Sequence, residues 1–262
     1  MTENVLYAEK LDLVIWPETA LPFNLDSPGA FPQEIRETVD RWRIPLITGG
    51  YAAGFDRFLS DYNAAFYLEP SSNVPKIQIY RKNILLAFGE YMPFGETFPW
   101  LYRAFPQVSN FMKGKTQEPF EMHDGTRLGV TICYEAIVPE FFRKVVQNGV
   151  RVVINLTNDS WFGPTIEPYQ HGALSVFRAV ETRLPLIRVT NTGVSFVVDI
   201  LGRLSKMTGV YEPGILVEEV AIPSSAPQTV YVRFGDWFVG VCALILTVFI
   251  FIGRRQHASV SF

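Results

Sequence analysis

The sequence has little cysteine, little histidine and little net charge. Its 262 residues include two cysteines and three histidines, and the formal net charge is -3. Cys133 and Cys242 are too few for a framework of several disulfides, and Cys242 lies in an apolar segment, so we expect no bridge between them. No cysteine and histidine cluster has metal-ligand spacing, so no zinc site is implied. Without a basic face in the composition, nucleic acid is excluded as the expected partner.

The first twelve residues lack the features of a signal peptide. They hold no apolar core of the required length, and they carry acidic residues. A glycine-rich phosphate loop is missing as well, because Gly49-Gly50 is an isolated pair typical of a turn. We therefore predict no phosphate-bearing cofactor and no metal.

What the sequence does contain is a series of short β-type runs mixed with helical patterns. Apolar residues make up 48% of the chain, enough for a sizeable core. Strands mixed with helices predict an α/β layer fold. The predicted strands are Leu11–Trp16, Ile44–Thr48, Ala64–Leu68, Ile77–Tyr80, Leu128–Cys133, Val150–Leu156, Leu186–Thr190, Val194–Ile200 and Ile215–Ala221; the predicted helices are Phe31–Trp42, Pro139–Asn148 and Tyr169–Thr182.

The C-terminal segment predicts a transmembrane helix. No charged residue occurs from Trp237 to Gly253. The length of this uncharged segment is at the short end of the range for a helix that spans a bilayer. Trp237 suits one interface, and the pair Arg254 and Arg255 suits a cytoplasmic end. A buried core helix is the alternative. We divide the chain into a catalytic domain (1–223), a linker (224–233), a transmembrane helix (234–253) and a cytoplasmic tail (254–262).

Three polar residues each directly follow a predicted strand, where α/β folds present reactive side chains. Glu18 follows one run and suits a general base, although a helix-capping acid is the alternative. Lys82 suits a cation that stabilises an oxyanion or a thiolate, against an ordinary solvated lysine. Cys133 lies between a strand and a helix and suits a nucleophile, against a buried structural cysteine.

Further residues bear on the chemistry of this trio. Glu90 lies in a turn between Gly89 and Pro93, from which it could reach back toward Lys82. A nearby helix N-terminus and a lysine are expected to lower the pKa of the Cys133 thiol. His171 is a rival base that could pair with Cys133.

The sequence around these residues resembles that of the nitrilase superfamily, and within it that of the bacterial apolipoprotein N-acyltransferases. The resemblance covers about residues 5 to 252. It rests on W-P-E-T-A-L-P (16–22), Y-R-K-N-I-L-L-A-F-G-E-Y-M-P (80–93), I-C-Y-E (132–135), N-D-S-W-F-G (158–163), H-G-A-L-S-V-F-R-A-V-E-T-R (171–183) and N-T-G-V-S (191–195).

The resemblance implies an α-β-β-α sandwich with a Glu18, Lys82 and Cys133 triad, followed by one transmembrane helix. It also implies supporting roles for Glu90, Tyr134 and Glu135. The implied reaction takes an acyl chain from a phospholipid, phosphatidylethanolamine above all, onto Cys133 as a thioester. The α-amino group of an N-terminal diacylglyceryl-cysteine of a lipoprotein then accepts it. The implied location is the bacterial inner membrane, with a periplasmic domain.

The chain departs from the family pattern in two places. Ala87 stands where the family usually has proline, and residues 1–10 resemble only the end of the first helix of the domain. We therefore expect an N-terminally shortened chain without the preceding membrane helices. Two alternatives stay open, a nitrilase-like amidase that uses water and an inactive membrane-anchored fragment or subunit.

Overall fold

The computed structural model describes residues 2–6, 10–54, 61–70, 77–226 and 228–259, without the side chains of Asn4 and of 253–259. Its first sheet has five strands and follows the order β1-β3-β4-β5, with β2 also paired to β3. β1 and β2 run parallel to β3, while β4 is antiparallel to both β3 and β5. The strands are β1 (Val14–Ile15), β2 (Leu21–Asn24), β3 (Leu46–Ala52), β4 (Tyr62–Leu68) and β5 (Ile77–Arg81).

The second sheet also has five strands, in the order β10-β9-β8-β7-β6. Its three central strands are parallel, and an antiparallel strand lies at each edge. The strands are β6 (Phe120–Glu121), β7 (Arg127–Ile132), β8 (Val152–Thr157), β9 (Leu186–Thr190) and β10 (Phe196–Val198).

The two sheets pack face to face, and side-chain alternation along each strand explains how. In β4, Ala65 and Tyr67 enter the core between the sheets, whereas Phe66 contributes to the opposite face. In β8, Ile154 faces the same central core while Val153 faces outward onto helices. All six residues of β8 are buried, including the polar Asn155 and Thr157, as in a strand covered on both faces.

Helices cover both outer faces and complete an α-β-β-α sandwich. On the first sheet, Val39 of α2 packs against Val14 and Leu46. On the second, Phe142 of α4 and Ala179 of α5 pack in one cluster. The helices are α1 (Thr2–Leu6), α2 (Ala30–Trp42), α3 (Trp100–Ala104), α4 (Pro139–Gln147), α5 (Glu167–Thr182), α6 (Val230–Phe234) and α7 (Trp237–Ser259), with 3-10 turns at Cys133–Ile137 and Ser160–Phe162.

One predicted strand was wrong. Residues 215–221 form no strand, and Ile215 and Val217 are exposed. Their apolar residues mimic a strand, but Glu218 and Glu219 interrupt the run, and the segment pairs with neither sheet. The first predicted strand, Leu11–Trp16, is reduced to the two residues of β1.

The C-terminal helix spans Trp237–Ser259, whereas the predicted segment was 234–253. Within the part of the chain that the structure describes, no helix combines the length and the apolar character that a membrane crossing needs. The transmembrane helix predicted for this segment is therefore not supported by the structure.

A glycine in β3 sets the position of the turn that follows β1. A Cβ atom on Gly49 would lie 2.6 Å from Glu18 Cα and 2.7 Å from the Pro17 carbonyl oxygen. These are backbone atoms of a buried turn, so the space is closed to any side chain.

We expect Gly49→Ala to reduce the free energy of unfolding by about 1–3 kcal/mol, because the added methyl group overpacks this turn. Urea unfolding measures the change. Gly29→Ala is the control, since its Cβ would meet only Pro32 Cδ at 3.4 Å, an ordinary contact. Equal stability of the two variants would contradict the close approach.

Candidate active site

Three strand ends bring the predicted trio together between the sheets. Glu18 follows β1, Lys82 directly follows β5, and Cys133 directly follows β7. All three side chains are buried. Lys82 Nζ lies 3.3 Å from Glu18 Oε1, and the charges of Glu18 and Lys82 both act on the Cys133 thiol.

Lys82 is held between two carboxylates. Its ammonium group donates to Glu90 at 2.9 Å from Oε1 and lies 2.8 Å from Oε2, in addition to its contact with Glu18. Burial disfavours the ammonium ion, but the charges of Glu18, Cys133 and Glu90 outweigh this and raise the pKa of Lys82. The predicted reach of Glu90 to Lys82 is thus observed, and Lys82 stays charged.

Two asparagines that sequence reasoning missed hold Glu18 in place. Asn63 Nδ2 donates to Glu18 Oε1 and to Glu90 Oε1, both at 2.7 Å. The backbone N–H of Asn158 donates to Glu18 Oε2, also at 2.7 Å. Asn63 is the second residue of β4 and lies just before the predicted strand Ala64–Leu68, so no local pattern marked it as a partner.

Burial raises the pKa of Glu18, and the charge of Glu90 adds to this, while Lys82 and Asn63 oppose it. A carboxyl group with a raised pKa is a better proton acceptor than an ordinary glutamate. Glu18 is therefore suited to exchange a proton with a neighbouring thiol or amine.

The backbone at Cys133 is held in the left-handed region, with φ of 52°. A non-glycine residue there costs of order 1–3 kcal/mol and persists only when its surroundings fix it. Asn155 Nδ2 donates to the Cys133 carbonyl oxygen at 3.4 Å and to Thr131 Oγ1 at 3.2 Å. One buried side chain therefore contacts the chain on both sides of Ile132.

The predicted low pKa of the Cys133 thiol was wrong. Burial, followed by the charge of Glu18, raises its pKa to about 12, and Lys82 only partly opposes this. The effect of the lysine, which the sequence predicted, is smaller than the combined effect of burial and of the Glu18 and Glu90 charges on the Cys133 thiol. Cys133 is therefore a thiol at neutral pH and needs a base to become a nucleophile.

Glu135 ties the Cys133 turn to the Lys82 segment. Its carboxylate accepts hydrogen bonds from the Tyr80 hydroxyl at 2.7 Å and from the backbone N–H of Ile84 at 2.9 Å and of Ile132 at 2.8 Å. Burial raises the pKa of Glu135 to about 7, and these hydrogen bonds limit the rise. Tyr134, the other predicted supporting residue, is exposed.

His171, the rival base, belongs to a buried network with Asp159 and Arg188. Its Nδ1 lies 3.0 Å from Asp159 Oδ1, and Asp159 Oδ2 accepts from Arg188 at 2.9 Å. Donor atoms of Asp159, Glu167 and His171 lie within 4.8 Å of one another. Both oxygens of Asp159 are engaged within this network.

The α-β-β-α sandwich, with a glutamate, a lysine and a cysteine meeting at strand ends, is the architecture of nitrilase-type enzymes that act on acyl carbon. The carbon-nitrogen hydrolase family model matches residues 1–227. The chain therefore belongs to the carbon-nitrogen hydrolase family.

Among curated proteins, the chain is similar to bacterial apolipoprotein N-acyltransferases. It is 39% identical to that of Bdellovibrio bacteriovorus over 246 residues, which are 90% of this chain and 45% of the relative. It is 34% identical to that of Geobacter metallireducens over 232 residues, 88% of this chain and 44% of the relative. The chain thus spans less than half the length of these two relatives.

Solved structures support the fold. A carbon-nitrogen hydrolase from Helicobacter pylori aligns with a TM-score of 0.60 and 19% identity, covering 81% of this chain and 80% of that one. An amidase from Nesterenkonia sp. aligns with a TM-score of 0.58 and 20% identity, covering 80% and 77%. Similarity at this level of identity concerns the architecture alone.

The high pKa of the thiol predicts an unusual alkylation profile. With Cys242→Ser removing the other thiol, we expect the rate of Cys133 alkylation by iodoacetamide to keep rising through pH 10. Glu18→Gln should lower the apparent pKa, because a negative charge is removed, and Lys82→Met should raise it. An alkylation rate that reaches a plateau below pH 8 in the protein with Glu18 and Lys82 intact would contradict the raised pKa of the Cys133 thiol.

Glu135→Gln should cost about 1–3 kcal/mol of unfolding free energy, because an amide cannot accept from all the donors that surround this carboxyl group. Since the folded pKa is raised to about 7, the glutamate's own contribution is complete below its ordinary value and is lost as the pH rises through 7. The cost of the substitution should therefore shrink from pH 5 to pH 8 in urea unfolding. The exposed Glu140→Gln, which loses only the Lys144 pair, is the control and should show neither effect.

Proposed function

We propose that the chain is the catalytic part of an N-acyltransferase that modifies lipoproteins. It would move an acyl chain from a phospholipid, through a Cys133 thioester, to the α-amino group of an N-terminal diacylglyceryl-cysteine. The carrying observation is the buried contact of Lys82 with Glu18 beside Cys133, in a chain 30–39% identical to curated apolipoprotein N-acyltransferases. Proteins with that name supply the substrate classes for this proposal.

In the first half-reaction, Cys133 Sγ attacks the ester carbonyl of the phospholipid while Glu18 takes the thiol proton. The negative charge that develops on the carbonyl oxygen is stabilised by the Lys82 ammonium group. The C–O bond then breaks, Glu18 returns the proton to the departing oxygen, and a lysophospholipid leaves. The product is an acyl thioester on Cys133.

In the second half-reaction, the amine of the lipoprotein attacks the thioester carbonyl. Glu18 accepts the amine proton and passes it to the departing Cys133 sulfur, so that an amide forms and the thiol is regenerated. Glu90 and Asn63 keep Lys82 and Glu18 in place throughout, and Glu135 maintains the Cys133 turn. Cys133 and Glu18 therefore act in both half-reactions, as a ping-pong mechanism requires.

Exposed aromatic side chains next to Glu90 support a lipid-borne substrate. The segment 88–105 buries Glu90 in the site but exposes large apolar side chains on the surface. Such a concentration on a soluble surface marks an interaction site. The side chains are Phe88, Tyr91, Phe94, Phe98, Trp100 and Phe105.

A cleft of about 440 Å³ beside β2 is suited to an acyl chain. Phe23, Phe31 and Tyr51 are among its lining residues. These aromatic side chains give the cleft an apolar wall.

We place the domain at the outer face of a bacterial inner membrane, with phosphatidylethanolamine as donor. In this arrangement α7 contacts the lipid, consistent with the exposed apolar side chains from Trp237 to Ile252. This location brings both lipid-anchored substrates to the same surface.

The proposal predicts a covalent intermediate. When the full chain is mixed with vesicles containing phosphatidylethanolamine with a fluorescent acyl chain, we expect a fluorescent protein band that hydroxylamine removes at neutral pH. Cys133→Ala should abolish the band, and Cys242→Ala, which removes the other cysteine, should leave it unchanged.

The acceptor separates the competing activities. Adding a diacylglyceryl-cysteine peptide should transfer the label to the peptide amine, as seen by mass spectrometry. Release of free fatty acid with no labelled peptide would instead show that water is the acceptor, and release of acid from soluble amides alone would favour the amidase alternative. Labelling that survives in Cys133→Ala would refute the assignment of the nucleophile.

A further inference from the structure

Arg188 is the largest of the fully buried side chains in the part of the molecule that the structure describes, with 1% of its surface exposed. It lies on β9, within the second sheet. Its Nη1 donates to Asn155 Oδ1 at 2.8 Å and to Thr157 Oγ1 at 3.3 Å, and its Nη2 donates to Asp159 Oδ2 at 2.9 Å. The planar guanidinium group therefore links two points of the chain. The first is strand β8, at Asn155 and Thr157, and the second is the turn after β8, at Asp159.

The first of these points leads to the proposed nucleophile. Asn155 accepts from Arg188 through Oδ1, which orients its Nδ2 toward the Cys133 carbonyl oxygen at 3.4 Å. Thr157 Oγ1 also donates to Asn155 Oδ1, at 2.9 Å. The amide that contacts the strained Cys133 turn is thus fixed in rotation by two donors.

The second point leads to the proposed base. Asp159 is completely buried and is bonded on one oxygen by Arg188 and on the other by His171. The preceding residue, Asn158, directs its backbone N–H at Glu18 Oε2 at 2.7 Å. The position of Asp159 therefore determines where that N–H lies, and with it the carboxylate of Glu18.

Stability alone is a weak reason for this arrangement. A buried ion pair roughly breaks even against well-packed apolar side chains, because both ions lose their hydration. The Arg188 and Asp159 pair is distinguished by its links to two reacting groups. Arg188 is linked through Asn155 to Cys133, and Asp159 is linked through its neighbour Asn158 to Glu18. Such a pair is suited to fix geometry.

We propose that Arg188 is a positioning residue, which sets the distance between Cys133 and Glu18 by holding Asn155 on one side and Asp159 on the other. The inference deepens the proposed function, since it takes Cys133 and Glu18 as nucleophile and base. Arg188 itself touches no substrate. Its effect passes through the two side chains that it bonds.

A double-mutant cycle tests this without any lipid substrate. In the full chain carrying Cys242→Ser, the apparent pKa of Cys133 is measured from the pH dependence of iodoacetamide alkylation, with and without Glu18→Gln. The charges that surround the thiol are those of Glu18, Lys82, Glu90, Asp159 and Arg188. The shift caused by Glu18→Gln reports how close Glu18 and Cys133 are held.

We expect the Glu18→Gln shift to fall to less than half of its original size in Arg188→Met and in Asp159→Asn. The first variant removes a cation and the second an anion, so a direct charge effect would move the thiol pKa in opposite directions. Loss of the coupling in both is the result that positioning alone predicts. The acyl-thioester rate should fall by about a hundredfold in both, as a misplacement of about 1 Å does, while the apparent KM for vesicle lipid changes less than threefold.

Arg178→Met is the matched control, because Arg178 is also largely buried and also paired, to Glu181 at 2.9 Å, but on α5. It should leave the Glu18→Gln shift at full size. A full shift in Arg188→Met or in a folded Asp159→Asn overturns the inference. So does failure of both variants to fold while Arg178→Met folds, since the pair would then be purely structural. If the unmodified chain forms no thioester, the proposed function fails, and the alkylation cycle still decides the role of Arg188.

Discussion

The arrangement of the site depends on keeping one ammonium group charged in the interior of the protein. Lys82 is almost fully buried, and desolvation of an ion at such depth costs several kcal/mol. Glu18 and Glu90 compensate for it at 2.8–3.3 Å. Asn63 in turn donates to both carboxylates, which lets two like charges share one cation. Removal of any member leaves an uncompensated group in the core.

This constraint also explains the state of the nucleophile. Burial first, and then the carboxylates that keep Lys82 charged, disfavour a thiolate and raise the pKa of Cys133, so Cys133 is held protonated until Glu18 takes its proton. A resting thiol is protected from unwanted alkylation and oxidation, which follow thiolate character. Activation is then tied to the base beside it, rather than to a permanently low pKa. The charges that stabilise the lysine and the chemistry of the cysteine are thus two aspects of the same cluster.

Support for the cluster comes from three other buried groups that use the same principle. Glu135 bonds backbone N–H groups on both sides of the site, Asn155 holds the turn at Cys133, and Arg188 holds Asn155. Each is a polar group whose hydrogen bonds are made to a segment distant in sequence. Such groups rigidify a site when they are satisfied, because an unpaired alternative inside the core is costly. The exposed aromatic surface next to Glu90 stands in contrast, since packing of the described residues leaves it uncovered.

Local patterns in the sequence predicted the strands that carry Glu18, Lys82 and Cys133, because periodicity and turn residues are local properties. They also indicated that these three residues follow strand ends. They could not identify Asn63, Asn158 or Arg188 as partners, because the contacts of these residues are made to segments distant in sequence. The same limit produced the wrong thiol pKa, and an apolar run without a neighbouring strand edge to pair with produced the wrong strand at 215–221.

The sequence by itself determined the strands that precede Glu18, Lys82 and Cys133, the chemical types at their ends and the apolar character of the C-terminal segment. Only the tertiary structure decided which charges neutralise one another. The Coulombic interactions and the desolvation of these charges depend on contacts between residues that lie 45 to 140 positions apart in the sequence, such as Glu18 with Asn63 and Glu18 with Asn158. Those distances exist only once the two sheets have packed. The protonation states of Cys133 and Lys82 are therefore properties of the fold and not of the motifs.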